Sequence, residues 1–302
     1  MSVENKYFQS TRAAMEFLDG LAFNRTESFL FRGHSNSEHR LVNTWQRERK
    51  IPHEAWMSDI DESLTKYKVC LQKLGLATFD HNARFEAMEY GRHHGVPTPC
   101  LDFSYSPFVA LFFAFNGVRT QYGSKKKKYS VVYALNVQQL AANWAKMHMH
   151  VKDHHEIFTS FMCPDNSFFD NGFPADCLQF IPQPSSKNPR MQRQMGAFIY
   201  DTLNYKYRKL KDLEEFIGQM KESDVHAGTT IESGEPTLYK IHINQACTGN
   251  ILQRLELMNM TGGYLYGDAD GVAMDIKNIY NYNPKTFFLR DVDVPTLDDI
   301  KM

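Results

Sequence analysis

Two periods of hydrophobic and polar positions run through this chain, and together they predict a mixture of helices and strands. Apolar residues at helical spacing predict helices over residues 9–23, 54–74, 82–94, 210–221 and 245–259. Short alternating or continuous apolar runs predict strands over residues 27–33, 129–135, 195–200 and 238–243. The elements do not follow the steady strand–helix–strand order of a parallel sheet. We therefore predict an α+β fold in which central antiparallel or mixed sheets are flanked by helices.

The connecting segments divide the chain further. Residues 96–103 read as an extended segment interrupted by prolines, and Ser106-Pro107 then opens a helix that is apolar nearly all round and therefore buried. Residues 179–189 are predicted to be a proline-rich loop, and residues 222–236 a polar connector. No domain linker is evident. We expect one domain over residues 1–280 and a C-terminal tail over residues 281–302.

Composition narrows the class of protein. The 302 residues are 42% hydrophobic and 13% aromatic, which is enough for a packed core. The net charge of −1 gives no overall argument for nucleic acid or an anionic membrane. The longest apolar run, Phe108–Phe115, is far shorter than the roughly 20 residues of a membrane span, and the first residues lack a secretory signal. Five cysteines without a Cys-x-x-Cys pair indicate free thiols. We expect a cytoplasmic protein with no membrane partner, and the oligomeric state stays open.

The segment Phe31-Arg32-Gly33-His34 carries the clearest chemistry. Arg32 follows an apolar strand, and its guanidinium presents a planar fork of donors suited to phosphate or carboxylate. Gly33 lacks a Cβ, which permits a positive φ or the close approach of a ligand. The sequence therefore predicts an anion-binding position at the end of this strand.

Further segments extend the pattern. They are His93-His94-Gly95, Thr98-Pro99-Cys100-Leu101-Asp102-Phe103-Ser104, Pro107–Ala114, Gln192–Phe198 and Asp268–Ala273. With the Phe-Arg-Gly triplet, these blocks resemble the FRG domain family in content and in order. The resemblance spans roughly residues 28 to 275.

The layout of the FRG domain is in turn similar to that of ADP-ribosyltransferases, especially toxins that modify nucleic-acid bases. That resemblance implies an NAD site, with nucleotide as ligand and a protein or nucleic acid as target, in a bacterial or phage-defence effector of toxin type. It implies catalytic roles for Arg32, His93, Asp102 and Gln194. It implies cofactor-binding roles for Arg32, Gly33, His34, Thr98, Ser104 and Tyr105.

The chain departs from the family patterns at three positions. The final block, Gln194-Met195-Gly196, has glycine where the transferases carry a glutamate that stabilises the oxocarbenium-like transition state. A carboxylate would have to come from Asp102 or Glu89. Arg92 stands where the family commonly has a glutamine before His-x-Gly, and Pro99 stands where it commonly has an arginine after the threonine. On this interpretation one basic side chain has moved from position 99 to position 92.

Two alternatives stay open for the same residues. They could bind a nucleotide, a nucleic acid or a protein partner without catalysis. They could also form a buried polar network, in which Asp102 caps the helix near Pro107 or pairs with Arg32.

Other segments are weaker candidates. His148, His150 and His154 have spacings seen in zinc sites, but we interpret residues 147–156 as a solvated polar segment and predict no metal. Residues 262–271 do not match a calcium loop, and we expect a turn that closes the domain. A nucleic-acid function is kept open by two local basic groups, Lys125–Lys128 and residues 47–50, the second of which lies near Trp45 and Trp56.

Overall fold

Seven strands form one mixed sheet in the computed structural model. The structure describes residues 2–24, 28–48, 50–80, 83–119, 128–148, 153–164, 166–169, 172–182, 188–220 and 236–279. The strands are β1 Val3–Phe8, β2 Phe29–His34, β3 Cys100–Ser104, β4 Tyr129–Asn136, β5 Leu178–Ile181, β6 Gly196–Asp201 and β7 Leu238–Asn244. Their order across the sheet is β1-β7-β4-β2-β3-β6-β5. Neighbours β1 and β7 run parallel, and the other neighbours run antiparallel.

Helices cover both faces of this sheet. They are α1 Thr11–Ala22, α2 Thr44–Glu48, α3 Trp56–Lys73, α4 Arg84–His93, α5 Pro107–Phe115, α6 Val137–His148, α7 His154–Met162, α8 Pro189–Arg193, α9 Leu213–Gln219, α10 Thr248–Leu257, α11 Gly262–Tyr266 and α12 Ala269–Ile279. Alternate residues of β2 show the layering, since Phe29 and Phe31 pack against α1, α5 and α10, whereas Leu30 packs toward α6 and α9. A third cluster lies under α3 and α4 at the β3–β6 end. The mixed α and β content agrees with the prediction.

Helix α5 places the later part of the site directly on the central strand. Ser106 caps it by accepting a hydrogen bond from the Val109 amide, and Pro107 occupies the first turn. Its backbone lies so close to β2 that a Cβ on Gly33 would fall 1.9 Å from the Ala110 carbonyl oxygen. The Phe-Arg-Gly strand and the apolar helix are therefore one tightly packed unit.

Most predicted elements are confirmed, with ends that shift by a few residues. The loop predicted over residues 179–189 is wrong at both ends, because β5 and α8 occupy them. Strand β1 and helices α6 and α7 were not predicted. The connector over residues 222–236 lies almost entirely outside the described residues, and the tail over residues 281–302 lies wholly outside them. Within the described part of the chain, no helix has the length and apolarity needed to cross a bilayer.

Candidate functional site

Most of the predicted site residues, all except Thr98 and Tyr105, meet around one cavity of about 390 Å³. It lies over β2 and β3 and is enclosed by α4, α5, α8 and the end of α11. The polar groups in its lining are Arg32, His34, Ser35, His39, Arg92, His93, Asp102, Ser104, Arg190, Gln194 and Tyr266. We call this cavity the arginine pocket. Its volume falls within the range of small-molecule sites.

Arg32 is held rigidly at the base of the pocket. Its Nη1 donates to the main-chain oxygen of Asp102 at 2.6 Å, and its Nε donates to Nε2 of His34 at 3.0 Å. Burial lowers the pKa of Arg32 to about 10, although the Asp102 charge works in the opposite direction. The guanidinium is thus cationic at neutral pH and oriented before any ligand arrives.

Arg92 clamps the carboxylate of Asp102 with two parallel hydrogen bonds, from Nε to Oδ1 and from Nη2 to Oδ2. Its Nη1 also donates to the Thr98 hydroxyl at 2.8 Å and to the Cys100 carbonyl. These last two residues flank Pro99. The guanidinium therefore sits beside the position at which the family more commonly carries arginine.

Asp102 supplies the only carboxylate among the described residues that line the pocket. Protein surrounds it, yet 46% of its side chain remains accessible from the cavity. Burial alone would raise the pKa of Asp102, but the charge and hydrogen bonds of Arg92, with the charge of Arg32, lower it overall. The pocket thus contains a carboxylate that is ionised at neutral pH. Glu89, the other proposed carboxylate, is buried in α4 and does not line the cavity.

A third guanidinium comes from the opposite side. Arg190 stacks its Cζ 3.8 Å from the centroid of the Tyr266 ring. Its Nε has no hydrogen-bond partner among the described residues. Tyr266 is positioned by the short helix α11, whose first amides, those of Gly262 and Gly263, donate to Asp275 at 2.7 and 2.8 Å. Residues 262–271 were predicted to be a turn that closes the domain; they form α11 and the start of α12, and Tyr266 lines the pocket.

Two of the three histidines that line the pocket, His34 and His93, are neutral at physiological pH. Burial, with the charge of Arg32, lowers the pKa of His34 to about 3. Burial also lowers the pKa of His93 to about 4, with Arg190 and Arg92 adding to the effect against Asp102. The buried Nε2 of His93 has no partner among the described residues and is available to a ligand. His34 and His93 therefore add no positive charge to that of the arginines.

Two glycines have roles other than the predicted ones. Gly33 is a strand residue without a positive φ, and the backbone of α5, not a ligand, requires its missing Cβ. Gly196 stands where the predicted resemblance would place a glutamate. A Cβ there would lie 2.0 Å from the terminal methyl of Met191. The flexible Met191 side chain of α8 would therefore have to move to make room for a side chain at position 196.

The remaining predicted residues divide into lining and supporting groups. Gln194 lines the pocket, but its amide donates to the Leu265 carbonyl at 3.2 Å. Ser104 donates to the Gln194 carbonyl at 2.7 Å, which ties β3 to the end of α8. Thr98 is buried outside the pocket and accepts from Arg92. Tyr105 also lies outside, where its hydroxyl donates to the Pro182 carbonyl at 3.0 Å.

The site residues do form a buried polar network, but the partners predicted for Asp102 are wrong. Asp102 does not cap α5, because Ser106 does so. Its carboxylate pairs with Arg92, whereas Arg32 uses its main-chain oxygen. The residues that sequence reasoning missed are Arg190, Tyr266, His39 and Phe113. Arg190 follows a proline-rich stretch that read as loop, so no periodic signal marked it.

The weaker candidates gain no support as metal sites. No group of three or more possible ligands gathers among the described residues. His148 contacts the Trp144 carbonyl at 2.9 Å, His154 begins α7, and His150 lies outside the described residues.

Comparison with known proteins gives one match. Residues 27–123 match the family model of the FRG domain, so the chain carries an FRG domain and the resemblance is confirmed there. The match includes Arg32, Arg92, His93 and Asp102, whereas Arg190, Gln194 and Tyr266 lie beyond it. No curated protein and no solved structure matches the chain.

Proposed function

We propose that the arginine pocket binds a phosphate-bearing nucleotide, NAD being the first candidate, and that the chain is an ADP-ribosyltransferase-like effector. The observation that carries this proposal is the convergence of Arg32, Arg92 and Arg190 on one cavity that contains a single carboxylate. The excess of two positive charges favours a pyrophosphate. A cytoplasmic location and a role in defence or as a toxin belong to the same proposal.

The lining also suits the rest of such a ligand. Phe113 and Tyr266 provide aromatic surface, and the free Nε2 of His93 can exchange a hydrogen bond with an amide or a ribose hydroxyl. Arg32 and Arg190 approach from different elements, so they can hold two phosphate groups from opposite sides. The residues present therefore fit a dinucleotide.

Asp102 is the proposed substitute for the glutamate that is missing at Gly196. In ADP-ribosyl transfer the bond between the ribose C1′ and nicotinamide breaks, and nicotinamide leaves with the bonding electron pair. The acceptor forms the new bond to C1′ and releases a proton. Positive charge develops at C1′ meanwhile, and an ionised carboxylate that faces the cavity stabilises it. Water as acceptor would give NAD hydrolysis instead.

Isothermal titration with NAD tests the binding step. We expect saturable binding by the wild type, and at least ten-fold weaker binding by Arg32→Gln, because the phosphates lose a charged and rigid donor. Arg12→Gln is the matched control, since Arg12 is an exposed arginine paired only with Glu16 on α1. Circular dichroism checks that each variant is folded. A folded wild type that does not bind NAD would contradict the proposal.

A second candidate function is a non-catalytic module that binds a nucleotide, nucleic acid or protein partner. Two observations favour it: both carboxylate oxygens of Asp102 are already engaged by Arg92, and the Met191 side chain lies where a side chain at position 196 would need space. Chromatographic measurement of nicotinamide release separates the two. NAD binding without release, with or without added cell extract as a source of acceptor, would favour the module.

A further inference from the structure

A second cavity of about 840 Å³ adjoins the arginine pocket. The two cavities share Arg32, His34 and His39 in their linings. Beyond this shared wall the second cavity is lined by Arg40, Arg47, Trp56, Lys206 and Lys211, with Glu38 as its acidic residue. We call it the basic groove. The shared residues place the two cavities side by side.

The charge of the basic groove is a local concentration and not a reflection of the whole chain, whose net charge is −1. Five cationic side chains line it against one carboxylate. Lys211 is neutralised by Glu215 at 2.7 Å. The side chains of Arg40, Arg47 and Lys206 make no ion pair or hydrogen bond to any described residue. A concentration of exposed cations on one face of a near-neutral protein favours an anionic ligand at that face.

Aromatic surface accompanies these cations. Trp56 lines the groove and is fixed by a hydrogen bond from its Nε1 to the Ile51 carbonyl at 3.2 Å. Tyr207, next to Lys206 in the chain, is 85% exposed. Cations that track phosphates, together with rings on which bases stack, characterise surfaces that bind single strands.

We infer that the basic groove binds single-stranded nucleic acid and leads one nucleotide of the strand toward Arg32. The strand would be the acceptor for the transfer proposed above, and that role rests on the proposed function. The binding itself does not rest on it.

Fluorescence anisotropy with end-labelled, mixed-sequence DNA and RNA strands of about 12 nucleotides tests the inference. The groove variant combines Arg40→Gln, Arg47→Gln and Lys206→Gln. The control variant removes three exposed cations from α1, α3 and α10, through Arg12→Gln, Lys66→Gln and Arg254→Gln. Both variants have the same net charge, so only the position of the lost charges differs.

We expect the groove variant to bind the strand at least about ten-fold more weakly than the wild type. The slope of log affinity against log salt should fall by about 2, because each phosphate contact contributes about 0.7 for single strands. The control variant should stay within about three-fold of the wild type. NAD titration should be unchanged in both variants, because neither removes a lining residue of the arginine pocket.

Several outcomes would overturn the inference. They are no binding by the wild type, equal weakening in the groove and control variants, and competition by polyglutamate as strong as by unlabelled strand, which would indicate an acidic protein partner. Strand binding that is lost only in the groove variant, in a protein that does not bind NAD, would support the groove and remove the proposed function.

Discussion

The arginine pocket has two walls that are built on different principles. The first wall, formed by β2, β3, α4 and α5, lies within the residues that match the FRG domain. Its charged groups are tied to one another, since Arg92 holds Asp102, and Arg32 holds the Asp102 main chain and His34. Each of these groups orients another, so the wall is preorganised.

The second wall, formed by α8, the start of β6 and α11, lies outside that match. Its charged group, Arg190, rests on the face of Tyr266 and keeps an unpartnered Nε. Arg193 beside it donates to the Tyr266 carbonyl at 2.6 Å and so supports the ring. The Arg190 guanidinium of this wall therefore keeps hydrogen-bonding capacity that a ligand can use.

The two walls should respond differently to substitution in their effects on stability and on ligand binding. A substitution in the first wall disturbs the fold and the site together, because the same contacts serve both. A substitution in the second wall should change ligand binding with little loss of stability. The predictions below test that separation, starting with the largest effect.

Gly33→Ala should destabilise the protein most, by about 3 kcal/mol or more. The new Cβ would overlap the Ala110 carbonyl oxygen and force α5 away from β2. Urea denaturation measures the free energy of unfolding. Gly20→Ala is the matched control: nothing lies within 4 Å of a Cβ there, and this helical position should gain about 0.5–1 kcal/mol. Equal stability of Gly33→Ala and wild type would mean that the two elements are not in backbone contact.

Arg92→Gln should destabilise the protein by about 2–3 kcal/mol, because Asp102 would lose its clamp. This loss of free energy of unfolding is smaller than the cost of breaking a fully buried ion pair, because the cavity gives water access to Asp102. The double variant with Asp102→Asn should recover part of the loss. Additive effects of the two substitutions in a double-mutant cycle would show that the pair is not coupled.

Arg190→Gln should weaken NAD binding about ten-fold while changing the free energy of unfolding by less than about 1 kcal/mol. Among the described residues the side chain contacts the fold mainly at Tyr266, by stacking and by a side-chain hydrogen bond. Titration and urea denaturation of the same preparation give both quantities. A stability loss as large as that of Arg92→Gln would remove the distinction between the walls.

The pH dependence of NAD binding should be the smallest effect. His34 and His93 have pKa values lowered to about 3 and about 4, so neither gains a proton as the pH falls from 8 to 6. In a His39→Gln variant, which leaves only these two histidines in the lining, affinity should therefore change by less than about two-fold over this interval. A site that used protonated histidine would bind the anion more tightly as the pH fell through about 6.5. Titrations at pH 6, 7 and 8 distinguish the two cases.

The sequence predicted the first wall better than the second, for a physical reason. The strand with Arg32 and the helix after Pro107 carry local signals, namely periodicity, a cap and a proline at the first turn. Helix α8 is five residues long and follows prolines, so its fold depends on neighbours distant in sequence. Arg190 and Tyr266 lie 76 residues apart in the chain, and only tertiary packing brings them together.

Strand β1 illustrates the same limit at the edge of the sheet. Its residues include Glu4, Asn5 and Lys6, which are poor strand formers. Hydrogen bonding to β7 stabilises the extended conformation of β1, which the low strand propensity of these residues does not favour. The ion pair between Arg92 and Asp102 could not be predicted from the sequence either. The two residues are ten apart in the chain, and they meet only because α4 folds back on β3.

The order of the strands bears on how the molecule can be divided. The segment that matches the FRG domain contributes only β2 and β3, which meet at the single register pair Phe31 and Ser104. Their outer neighbours, β4 and β6, both come from later in the chain. Isolated, this segment would carry two unprotected hydrogen-bonding edges, which invite self-association. The matched segment therefore depends on strands from outside the match to complete its sheet, and a cut at its boundaries would expose both edges.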